Sequence, residues 1–272
     1  MINFFFLLLL FLSCTKKPLL PDSFPYDLEN PSQIIILPKV LQEVSGIILE
    51  GRNLVCIEDE SGKIYYYNLN SKTIVRVSPF NGPGDYEDIA KAGASYFVLC
   101  SDGTLFKISV GEKETINTPL GKKNNAEGLC YDSSHTRLLI ALKGNPLKGQ
   151  GHKKEVWGFN LASEKLSHKP IFSIELSQFK PYLGKKASRL KFKPSGISVH
   201  PLTGEIYIIS ATASLLVKTD FEGNILGLAW LNKDLFKQPE GICFDTSGTM
   251  YISNEGKKGN PTVLKFKLNE HE

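Results

Sequence analysis

Apolar residues along this chain come in short runs separated by polar turns. Between Gly46 and Ser78 they read "GIILE", "NLVCIE", "KIYYYN" and "TIVRVS". Val, Ile and Tyr dominate these runs, and Gly, Asn, Asp and Ser punctuate them, which predicts strands and tight turns. Helical periodicity is nearly absent, so the pattern predicts an all-β chain.

The pattern also repeats. "KPSGISVHPLTGEIYIIS" (Lys193 to Ser210) returns as "KQPEGICFDTSGTMYIS" (Lys237 to Ser253). The same phrase stands at Val44-Ser45-Gly46-Ile47, Tyr86-Glu87-Asp88-Ile89 and Ala126-Glu127-Gly128-Leu129. Measured at the Ser/Glu position, the five copies lie 42, 40, 68 and 45 residues apart. A period near 40 marks solenoids, propellers or arrays, and four strands per period describe a propeller blade. The last copy has only three strands, "GICFD", "TMYIS" and "TVLKF", whereas "SQIIILP" is an orphan strand before the first copy. Pairing the two would close the ring and remove a free sheet edge. The expectation is a five-bladed β-propeller over residues 32–272, closed by its N-terminal strand. A sixth blade could hide only in the 68-residue interval. That interval also carries two long insertions, Lys143 to Lys153 and Ser177 to Lys193.

Residues 1–14, "MINFFFLLLLFLSC", hold an apolar run from Phe4 to Leu12. It is far shorter than the roughly 20 residues of a membrane helix, and reads as a signal-peptide core. Leu12-Ser13-Cys14 resembles a bacterial lipobox, with Phe11 where Leu is usual and no Lys or Arg at the start. This predicts lipidation at Cys14 and a membrane-anchored protein of the cell envelope, exported to the outer membrane or periplasmic face. Two acyl chains suffice for stable anchoring. A conventional signal peptide with an incidental Cys is the alternative. Residues 15–31 carry four prolines and no hydrophobic period, as a tether would. Of the remaining cysteines, Cys130 and Cys243 occupy equivalent strand positions in different blades, as do Cys56 and Cys100. Equivalent positions in separate blades are too far apart for disulfides, so all four read as small buried apolar residues.

The motifs "EVSGI", "GDYEDIA", "NAEGLCYD", "PSGISVHPLTGEIYIIS" and "KQPEGICFDTSGTMYISNEG", in this order, resemble the SdiA-regulated family of bacterial envelope proteins, relatives of NHL-repeat propellers. The similarity runs from about Pro38 to Leu268. The resemblance implies a five-bladed propeller with a bound calcium ion and no established activity.

The repeat position reads Ser45, Glu87, Glu127, Ser195 and Glu240. Each begins the innermost strand of a blade, so together they should ring one end of the central channel. Three converging carboxylates repel one another unless a cation or donors neutralise them. A hard divalent cation with oxygen ligands, Ca2+, suits Glu87, Glu127 and Glu240, with Glu43 and Asp59 as further ligands. Bracing of blade junctions by hydrogen bonds is the alternative role. His200 stands where Asp132 and Asp245 stand in sister blades, which makes it a turn residue. The histidines lack zinc spacing, Pro194-Ser195-Gly196 lacks a nucleophile elbow, and no His or Lys is evident beside the Glu ring.

The formal net charge of +4 is too small to argue for nucleic acid. Yet residues 143–193 hold 12 Lys or Arg against 3 Glu. These basic insertions could attract an anionic ligand or acidic partner, or merely keep a loop solvated. The expected function is a calcium-binding recognition module on an envelope lipoprotein. The competing expectation is a calcium-dependent lactonase- or esterase-like hydrolase, in which a ring Glu is the general base.

Overall fold

The computed structural model describes residues 24–149 and 153–269. The expected lipidation site Cys14, the expected signal peptide and the first part of the expected tether lie outside them. Five antiparallel sheets follow one another around a ring. Blade one is built from Val44–Glu50, Asn53–Glu58, Lys63–Asn68 and Thr73–Pro79. Blade two runs from Tyr86–Ala92 to Glu112–Ile116, and blade four from Gly196–Val199 to Ile225–Trp230. The long interval is blade three alone, enlarged by a fifth strand, Phe172–Glu175, that pairs with Lys153–Asn160. No sixth blade forms among the described residues.

Closure follows the expected route. Gln33–Ile36 adds to Thr262–Phe266 of blade five with Ile34 opposite Leu264 and Ile36 opposite Thr262. Ile35 is buried in the blade five–blade one interface, where an aliphatic side chain contributes about 1.5–3 kcal/mol.

The core is five apolar layers, one between each pair of neighbouring blades. Strand alternation explains why the second strands read as unbroken apolar runs. In Asn53–Glu58, Leu54 and Cys56 face blade five, while Val55 and Ile57 face blade two. The four described cysteines are free. Cys56, Cys130 and Cys243 are buried, and Cys100 is half-buried.

The segment expected to be a tether up to residue 31 is packed from Phe24 onward. Phe24, Tyr26 and Leu28 are buried among Tyr207, Phe236, Met250 and Phe266, in the wedge between blades four and five. The prolines concealed an apolar residue at every second position. Tyr26 Oη donates to Gly248 O at 2.6 Å and lies 2.9 Å from His200 Nε2. His200 Nδ1 accepts from the N–H groups of Leu202 and Thr203, so Nε2 carries the proton and donates to Tyr26. His200 is therefore a turn residue, as Asp245 is through Ser247 and Thr249, and also the anchor of this strap.

Candidate functional site

The Ser/Glu motif has a backbone cause. In blades one, two, three and five the first strand shifts register at Val44/Gly46, Tyr86/Asp88, Ala126/Gly128 and Pro239/Ile242. Each shift is a β-bulge that inserts one extra residue and re-aims its side chain. The following Gly has a separate cause, the approach of the next blade. A Cβ on Gly196 would stand 2.1 Å from Glu240 O, and one on Gly46 would stand 2.6 Å from Asp88 Oδ1.

Asp88 is the one carboxylate in this glycine layer. It is buried, and its oxygens accept from Ile89 N at 2.8 Å and Leu129 N at 2.7 Å. Burial nevertheless pushes its pKa well up, and its bond from Leu129 N ties blade two to blade three.

At the motif level the five positions divide. Ser195 Oγ donates to Pro239 O at 2.9 Å and braces blade four on blade five. Ser45 is buried with an unpartnered hydroxyl. Glu127 accepts from Asn125 Nδ2 at 2.6 Å and from Lys143 Nζ at 2.5 Å. Burial pushes Glu87 up to about 9, and the negative charges of Glu127, Asp85 and Glu240 add to this while Lys143 opposes it. Burial likewise pushes Glu240 up to about 8, against the pull of Lys143. Burial disfavours the Lys143 ammonium, but Glu127, Glu240 and Glu87 outweigh this and raise its pKa.

Lys143 is thus the internal cation of the Glu ring, and the expectation of no Lys beside that ring is corrected. It directly follows the second strand of blade three, Arg137–Leu142. Its amide donates to Asn125 O, and its carbonyl accepts from Lys154 Nζ. The equivalent positions in blades one to five read Asp59, Ser101, Lys143, Ala211 and Glu255. The ring recurs in the repeat at the residue after each second strand, where blade three alone carries a cation. Asp85, which accepts from Ser101 Oγ, is a further acid outside the motif.

The five expected metal ligands fall into two groups. Glu87, Glu127 and Glu240 surround the Lys143 ammonium electrostatically. Glu43 and Asp59 join Glu60 instead, with ligand atoms all within 4.8 Å of one another. Burial, then Glu43, Glu58, Glu255 and Glu60, push Asp59 up to about 7. Asp59 Oδ1 is buried and has no hydrogen-bond partner. Glu255 links the groups: its own pKa is raised by burial and by Glu43, and its charge raises both Asp59 and Glu240.

A five-bladed propeller with a carboxylate-rich channel end is the class that fold and site define. The SdiA-regulated family description matches residues 33–258, and the chain belongs to that family. Among solved structures, it is similar to Myxococcus xanthus glutaminyl cyclase at 14% identity and TM-score 0.59, covering 89% of this chain and 97% of that one. A luciferin-regenerating enzyme matches at 9% identity and TM-score 0.55, covering 88% and 95%. A Bacteroides thetaiotaomicron protein of unknown function matches at 13% identity and TM-score 0.53, covering 78% and 52%. At such identities the likeness extends to the fold alone.

Proposed function

We propose that this is an envelope lipoprotein whose propeller binds Ca2+ at one end of its channel and uses that end for recognition. The observation that carries the metal is the pairing of Asp59 with Glu43 and Glu60. Three carboxylates approach within 4.8 Å, and one Asp59 oxygen is buried without a donor. A hard cation supplies the missing positive partner, and flexible oxygen coordination suits Ca2+. Glu43, Asp59 and Glu60 would hold it, and its role there is charge neutralisation. Glu127 and Lys143 neutralise each other without a metal, so the ion is assigned to Glu43, Asp59 and Glu60. The anchor is argued from the apolar run and Cys14 alone.

The test is the thermal midpoint of the chelated protein with and without added Ca2+. A ligand bound by the folded state alone raises it. The rise should persist in Glu127→Gln and vanish in Asp59→Asn. A rise lost in Glu127→Gln and kept in Asp59→Asn would move the ion to the Glu ring; no rise in the parent protein would remove it.

A second reading, hydrolysis of a lactone or ester, is favoured by one arrangement. Burial and its acidic neighbours push Glu87 up to about 9, whereas burial raises Glu127 but the paired Lys143 pulls it back down. Carboxyls whose surroundings pull them apart in one site can serve as acid and base. Two fold neighbours also carry enzyme names. Turnover on a lactone and ester panel that disappears in Lys143→Met and Glu127→Gln would establish this reading. A folded, inactive parent protein would retire it for those substrates.

A further inference from the structure

The second insertion is a built element, not a solvated loop. Phe179 and Phe192 are buried and pack with ring centroids 5.0 Å apart, in the apolar layer between blades three and four. Gln178 Nε2 donates to Gly223 O at 2.9 Å, and Tyr182 Oη donates to Ile225 O at 2.6 Å. Glu175 and Gln178 exchange hydrogen bonds at the start of the first short turn. The segment is therefore pinned to both blades, and its last residues lead directly to Ser195 at the channel end.

This fixed frame carries a cleft of about 820 Å³ lined by Lys180, Lys185, Lys186 and Arg189, with the hydroxyls of Ser177 and Ser188 among them. No Asp or Glu lines it. None of the four cleft cations has an ion-pair partner among the described residues, so the cleft's charge is left to whatever enters it.

Four unneutralised cations around one cleft repel each other and attract an anion. Because they are exposed, each single contact is weakened by water and salt. A singly charged ligand would gain little. A multiply charged one meets several cations at once, and the Arg fork matches phosphate oxygens. The cleft is also larger than one phosphate needs. We propose that this cleft binds a multiply phosphorylated group, either free in solution or displayed on a lipid headgroup. The proposal is independent of the calcium site, which lies on blade one.

The test uses the full-length chain with two probes. One is inorganic tripolyphosphate, followed by calorimetry. The other is phosphatidylcholine vesicles, with or without a minor fraction of a bisphosphorylated glycolipid, followed by co-sedimentation. At least one probe should bind. Affinity should fall by roughly tenfold or more in the Lys185→Glu, Lys186→Glu, Arg189→Glu triple variant, and also in the milder triple Gln variant. A control reversing the exposed Lys39, Lys63 and Lys122 should bind as the parent does. Tripolyphosphate alone would assign a soluble ligand, and the glycolipid vesicles alone a membrane one. Binding of neither probe would overturn the proposal, as would equal loss in the control.

Discussion

Replacing Lys143 with Met removes the cation of the Glu ring while keeping most of the side chain's volume. The Glu127 side chain is 6% exposed and that of Lys143 is 28% exposed. Taking one partner from a buried ion pair costs about 3–5 kcal/mol. Lys143 keeps some contact with water, so the lower end applies, about 3 kcal/mol. With a urea slope of about 3 kcal/mol per molar for a domain of this size, the midpoint should fall by about 1 M. The loss must depend on pH. Without Lys143 the folded-state pKa values of Glu127, Glu87 and Glu240 rise further above their unfolded values. Stability is then retained below the unfolded carboxyl range and lost as pH rises through the raised values. Urea unfolding should show a small deficit at pH 5 and the full deficit at pH 8. Lys143→Met combined with Glu127→Gln should recover part of it, since the orphaned charge is gone. An equal deficit at both pH values, or no recovery in the double variant, would refute the assignment of Lys143 as counter-ion.

In chelator the parent protein should itself lose stability between about pH 4 and pH 9. The folded state holds Asp59, Glu240 and Glu87 protonated up to about 7, 8 and 9, against 3.8 and 4.5 for free Asp and Glu; thermal midpoints across that range check this. Gly196→Ala should cost about 3 kcal/mol or prevent folding, because the added Cβ meets a backbone oxygen at 2.1 Å. Gly121→Ala, with nothing within 4 Å, should melt normally. Tyr26→Phe should cost about 2 kcal/mol for the two lost hydrogen bonds, to Gly248 O and from His200 Nε2. Deleting residues through Leu28 should cost several kcal/mol by urea titration, because three buried apolar side chains leave the blade wedge.

Much of the architecture was legible because a propeller writes its rules once per blade. The bulge in four of the five blades, the close blade approach seen at Gly196 and the two-faced second strand impose similar residues around the ring, with Asp88 the exception at the glycine position. Closure by Gln33–Ile36 was legible from a missing strand at one end and a surplus one at the other. The strap was not, because Phe24, Tyr26 and Leu28 bury their alternation in a proline-rich context, and only the wedge made by Tyr207, Phe236 and Phe266 gives it meaning. The candidate site was half legible. The acids were named from the repeat, but their partition depends on which second-strand ends face them. Lys143 sits where blade one has Asp59, so the same fold position neutralises one group and charges the other. Asp88 was hidden for the opposite reason: it replaces a glycine whose role is set by space.

Calorimetric titration of chelated protein with Ca2+ at pH 7, in two buffers of different ionisation enthalpy, decides whether an ion sits at Asp59. Because Asp59 is held at about 7, metal binding should release protons. Saturable binding with a buffer-dependent heat is expected, both absent in Asp59→Asn and both present in Glu127→Gln. Absence of binding in the parent protein, or binding unchanged in Asp59→Asn, would contradict an ion at Asp59.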